Sequence, residues 1–103
     1  MKRVTRYITL TIAIEEADSQ YAARCIELGT ASCGDTFDEA VKNIIEAVTV
    51  DLNALEEAGE REQFFNEHGI EIKQRIEEDV PLMKPVYRAA WTRVYDAKVL
   101  VPA

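Results

Sequence analysis

Histidine and cysteine are almost missing from this chain. One histidine, His68, and two cysteines, Cys25 and Cys33, occur in 103 residues. A Ser or Cys nucleophile needs a neighbouring base, most often histidine, so the common nucleophile–base pairs find little material here. His68 stands just before Gly69 at the end of a short helical pattern. There it can cap free carbonyls and oppose the negative helix end. Cys25 and Cys33 are separated by seven residues, with no CxxC. That is not zinc-ligand spacing, and two cysteines are too few for a disulfide framework. Both read as strand cysteines packed as small hydrophobes. Glycine is also scarce, with four in the chain. Gly29 and Gly34 stand outside any GxGxxG or GK[ST] context, so no phosphate-cradling loop is expected. These shortages predict a protein with no catalytic centre, no metal and no cofactor.

Long apolar runs are missing too. Thr9 and Thr11 interrupt the stretch from Ile8 to Ile14, which is far too short to span a membrane. The basic start MKRVTRYITL has no apolar core followed by a small-residue cleavage site. The expectation is a cytoplasmic protein with reduced thiols and no membrane role. Positive charge is in deficit: 12 Lys and Arg against 19 Asp and Glu, a net charge of −7. That opposes wrapping a phosphate backbone, which needs clustered cations, and it fits a basic protein partner. The acidic groups Glu15-Glu16, Glu56-Glu57 and Glu77-Glu78-Asp79 read as solvated surface. Adjacent carboxylates on a strand end or an exposed helix face do not converge on one reacting atom.

The remaining composition is globular, 48% hydrophobic and 30% charged, and the length suits one domain with one core. Ile8, Leu10, Ile12 and Ile14 alternate with Tyr7, Thr9, Thr11 and Ala13, predicting a strand over 7–15. A polar turn over 15–19 and a second strand over 20–25 complete a hairpin. Gly29 marks a bend, and 30–33 suits a short third strand. Thr36 with Glu39 three residues on is a capping box. Phe37, Val41, Ile44, Ile45, Val48, Leu52 and Leu55 then follow at helical spacing, with Gly59 at the C′ position. A short helix over 60–68 carries Phe64 and Phe65. Ile70 and Ile72 suggest another strand, and 74–85 reads as a loop or arm. Tyr87, Ala90, Trp91 and Val94 could equally line a helix face, but the alternation of Tyr87, Ala89, Trp91, Tyr95, Ala97 and Val99 favours one long strand. The expected fold is α+β: a small antiparallel sheet covered on one face by a long helix and a short one. Residues 1–73 form the domain, and 74–103 an arm and strand packed on it or on a neighbouring subunit.

The run Y-A-A-R-C-I-E-L-G-T-A-S-C-G-D-T-F-D-E-A from Tyr21 onward resembles the HicB-like antitoxin family. Its core is G-D-T-x-x-E-A: Gly34, Asp35, Thr36, Glu39 and Ala40. An aromatic-led strand and the E-L-G segment (Glu27, Leu28, Gly29) come before it, and E-x-G-E (Glu57 to Glu60) comes after the helix. The likeness covers residues 7 to about 60. It implies a β-β-β-α-β, partial ferredoxin-like or double-stranded-RNA-domain-like fold. It also implies a role in blocking a small basic RNA-cleaving toxin of the HicA type, in which the catalytic histidine belongs to the toxin. The five G-D-T-x-x-E-A residues read as fold-makers: a turn, a cap and a small residue for close packing. Residues 70–103 show no ribbon-helix-helix or helix-turn-helix, so a stand-alone HicB-like domain is expected.

Two other readings stay open. One is a homo-oligomer whose tail strand pairs across subunits, with Tyr87, Trp91 and Tyr95 at the interface. The other, disfavoured by the acidity, is a nucleic-acid binder in which those aromatics interleave with Arg88, Arg93 and Lys98.

Overall fold

A computed structural model describes residues 4–76, 83–88 and 92–101. Strand β1 runs Val4–Ala17, β2 Gln20–Cys25 and β3 Thr30–Gly34. Helices α1 (Phe37–Glu57) and α2 (Arg61–Glu67) follow, then β4 (Lys73–Ile76), β5 (Met83–Arg88) and β6 (Thr92–Leu100). The fold is α+β, as the alternation and the helical stripe predict, with six strands in one antiparallel sheet. The order is β3-β2-β1-β6-β5, and β4 also pairs with β1.

The alternation in β1 is what builds the core. Ile8, Leu10, Ile12 and Ile14 are all essentially buried. Their partners in register are Val99, Ala97, Tyr95 and, at the margin, Arg93 of β6 on one side, and Cys25 and Ala23 of β2 on the other. Opposed residues share a face, so one apolar surface spans three strands. Helix α1 lies on that surface through Ala40, Ile44, Val48 and Leu52, every one buried. Phe37, Val41 and Ile45 pack at its margin. Neither α1 nor α2 lies on the opposite face of β1. There Lys98 sits over the Tyr7 ring at 5.4 Å, and Arg24 meets Glu15 at 3.7 Å.

Both helices end in the same device. Gly59 has φ +70. Its N–H donates to the Glu56 carbonyl, and the Glu60 N–H donates to that of Leu55. This is a Schellman motif, in which a left-handed glycine turns the chain back to satisfy the last carbonyls. Gly69 (φ +64) repeats it, with the Ile70 N–H donating to the Phe65 carbonyl at 2.8 Å.

Three expectations are corrected. The turn before β2 is tighter than a five-residue loop. β1 and β2 run to Ala17 and Gln20, and Asp18 and Ser19 alone make the turn, at φ 50 and 65. Two left-handed residues match the twist of the flanking strands. Ile70 and Ile72 do not start a strand. Ile70 follows the capping glycine and packs with Phe65 in the core, and pairing begins only at Lys73. The tail is not a loop followed by one long strand. Residues 73–76 and 83–88 are strands, and β5 is antiparallel to β6, with a bulge between Pro85 and Tyr87. The chain order is therefore β-β-β-α-α-β-β-β, two strands beyond the β-β-β-α-β pattern. Residues 77–82 of the expected arm lie outside the described residues. Among the described residues no helix is long and apolar enough to cross a membrane.

Candidate functional site

Gly34, Asp35, Thr36, Glu39 and Ala40 come together where β3 hands over to α1. Gly34 is buried at the end of β3. A Cβ there would stand 2.5 Å from the Ala40 backbone nitrogen and 2.8 Å from the Glu39 carbonyl carbon. Close approach of strand and helix, not a special dihedral, is why glycine sits there. Ala40 is fully buried on the helix side of that contact. Thr36 has extended backbone (φ −125, ψ 162), and its Oγ1 accepts from the Glu39 N–H at 3.1 Å. The reciprocal bond from the Thr36 N–H to the Glu39 side chain is not among the described hydrogen bonds, so half of the capping box forms. Asn43 Nδ2 donates to the Cys33 carbonyl at 2.8 Å, and the Thr30 hydroxyl donates to Asp51 Oδ2. These contacts fasten β3 along α1.

Tyr95 faces the core. Its ring lies 5.9 Å from that of Phe37, and Phe37 also meets Tyr21 edge-on at 6.2 Å. The Arg93 guanidinium sits over Phe37 at 5.0 Å. Tyr87 pairs with Val94, and Pro85 with Tyr95, so the two tyrosines hold alternate register positions on neighbouring strands. Trp91 lies outside the described residues. His68 is where a helix-end residue is expected. Its Nδ1 donates to the Phe64 carbonyl at 2.9 Å, and its ring stacks on Phe64 at 4.0 Å.

Beside that stack lies the surface feature best suited to a partner. Two depressions, of about 370 and 250 Å³, share Leu55, Glu60 and Phe64. Leu28, Ala54, Leu55 and Phe64 make the apolar floor, and Asp51, Glu60 and Glu67 stand around it. No Lys or Arg is among the described residues that line either one. The groove exists because α1 ends at a left-handed glycine and α2 turns back beside it, leaving Leu55 and Phe64 half-covered. No family model matches the chain, and no curated protein or solved structure matches it either. The groove therefore has to be read from its own chemistry. Half-exposed apolar side chains inside a ring of one charge favour a partner that brings an apolar anchor and the opposite charge.

Sequence reasoning named Phe64 as a helix anchor and Leu55 as core, and it missed the groove between them. It also missed Glu27, which accepts from the Thr11 N–H and hydroxyl, both at 2.8 Å. Nothing in local periodicity signals a contact across sixteen residues. Cys25 is buried beside it, and desolvation pushes its thiol up to about 11. Cys33, expected to be packed like Cys25, is instead exposed, because it pairs with Ala22 on the face of the sheet away from the core, and both are free thiols.

Proposed function

We propose that this chain is a non-catalytic protein-binding module of the HicB-like kind, which holds a basic segment of a partner protein in the groove over Leu28, Leu55 and Phe64. The observation that carries this reading is the acidic rim of Asp51, Glu60 and Glu67 around an apolar floor, on a chain of net charge −7. The resemblance from Tyr21 onward supports a finer version, in which the partner is a small basic RNA-cleaving toxin that the module blocks in the cytoplasm.

The test is capture from a native lysate, identification of the captured protein, and measurement with the purified pair. A small basic partner is expected, bound more weakly as salt rises. Leu55→Lys and Glu60→Lys should each weaken binding by about tenfold or more. Asp38→Asn makes the same single-unit charge change as Leu55→Lys in the exposed first turn of α1, about 25 Å along the helix from Leu55, and should leave binding intact. A partner that is not basic, or one indifferent to Leu55→Lys, rejects this reading. Inhibition of the partner's RNA cleavage by the module tests the finer version separately.

A second reading, self-association through the tail, is favoured by the sheet ending at β5, since a free strand edge is a template for pairing. Sedimentation at increasing concentration decides it: a monomer throughout excludes it.

A further inference from the structure

The edge of β1 that pairs with β2 and β4 has a hole in it. β2 covers Ile12 to Ala17 and β4 covers Val4 to Tyr7, and the residues between have no strand partner on that side among the described residues. The direction of their backbone groups follows from neighbouring hydrogen bonds. The Thr11 N–H donates to Glu27 Oε1, and the Thr11 carbonyl accepts from the Ile26 N–H at 3.0 Å, both on this edge. The Arg6 carbonyl accepts from the Val101 N–H, on the β6 side. Successive residues present these groups to opposite sides, so Thr9 also turns its N–H and C=O into the hole. Among the described residues Thr9 pairs with Lys98 alone, across the other edge, and no described hydrogen bond reaches these two groups. They open on a cleft of about 170 Å³ whose lining includes Thr9, Glu27, His68, Ile70, Glu71 and Lys73.

We propose that this break binds a small α-amino compound through its ammonium group and the adjoining carbonyl or carboxylate oxygen. An ammonium offers three donors. The Thr9 carbonyl and the carboxylates of Glu27 and Glu71 are acceptors lining one cleft. The Thr9 N–H and the Lys73 ammonium are donors for the oxygen. Glu27 is held in place by Thr11 and the Cys25 thiol, so little side-chain freedom is lost on binding, and its Oε2 keeps a further lone pair. The small volume limits the ligand to an amino acid with a short side chain or the first residue of a peptide. Both sources share this chemistry. The site is separate from the groove, and its test does not depend on a protein partner.

The experiment is NMR of the full chain in two parts. Amide exchange comes first: the Thr9 N–H should exchange at least about tenfold faster than those of Tyr7 and Thr11, which are paired. Equal protection would show the hole closed in solution and overturn the proposal. Titration follows with glycine, glycinamide and N-acetylglycine. Glycine and glycinamide should shift the amides of Thr9, Glu27 and Glu71, and N-acetylglycine, which lacks the ammonium, should not. Tighter binding of glycine assigns a free amino acid, and equal binding assigns a peptide terminus. Glu71→Gln, an exposed change, should weaken glycine by about tenfold through loss of a charged acceptor. Silence at the cleft with every probe, an equal response to N-acetylglycine, or indifference to Glu71→Gln each rejects the site.

Discussion

The two edges of β1 are built in opposite ways. On one, β6 pairs with it without interruption from Tyr7 to Glu15. On the other, β2 and β4 share the length and leave Thr9 between them. The continuous edge satisfies its backbone groups with backbone. The broken edge needs a side chain, Glu27, to satisfy Thr11, and it leaves room for something else at Thr9. A sheet is stiff where its ladder is continuous and accessible where it is not.

Substitutions test that contrast, and the largest effect is expected where both edges meet. Ile12 is fully buried and faces Cys25 on one side and Tyr95 on the other. Ile12→Ala should cost about 2–5 kcal/mol in chemical denaturation, from lost burial and a cavity. Glu27→Ala strikes the broken edge alone. It leaves the Thr11 N–H and hydroxyl without their acceptor and should cost about 1.5–3 kcal/mol. A loss below about 0.5 kcal/mol would mean that water replaces the carboxylate. Gly34→Ala tests how closely β3 approaches α1. Its Cβ would press on helix backbone, so a loss of about 1–3 kcal/mol is expected. Thr36→Ala removes the single cap bond and should cost about 1 kcal/mol. The smallest effect belongs to Cys33. At pH 8 a thiol reagent should label exposed Cys33 and spare Cys25, with little change in melting temperature. Folding raises the Cys25 pKa from 9.0 to about 11. The stability tied to its neutral form is thus intact below pH 9 and is lost as pH rises toward 11, because the unfolded chain ionises first. A flat stability profile through that window would refute the burial of this thiol.

The elements legible in the sequence are those whose signal is local. Four alternating aliphatic residues from Ile8 to Ile14 specify a strand with one buried face. The cap at Thr36, the stripe through Val48 and Gly59 specify one helix from start to stop. The tail misleads for physical reasons. Ile70 and Ile72 look like a strand, but Ile70 serves the helix end by packing on Phe65. Residues Ala89, Ala90 and Trp91 contain no glycine, proline or asparagine, so nothing in the sequence announces that β5 and β6 are separate strands. The broken edge of β1 is illegible for another reason. Glu27 and Thr11 meet only once β2 has folded back, and the cleft at Thr9 needs α2 and β4 in place as well. The acid-rimmed groove likewise depends on how two capped helices turn relative to each other, which neither helix encodes alone.

The amide of Asn43 has one further consequence. Hydrogen bonds on either side of β2 fix its alternation, so the outward carbonyls on β3 are those of Ala31 and Cys33, and Asn43 occupies the second. An incoming strand would have to pull that side chain off before it could pair along the whole of β3. A helix residue thus acts as a latch on the sheet's rim, and runaway stacking of copies at this end is discouraged without a charge or a proline in β3 itself.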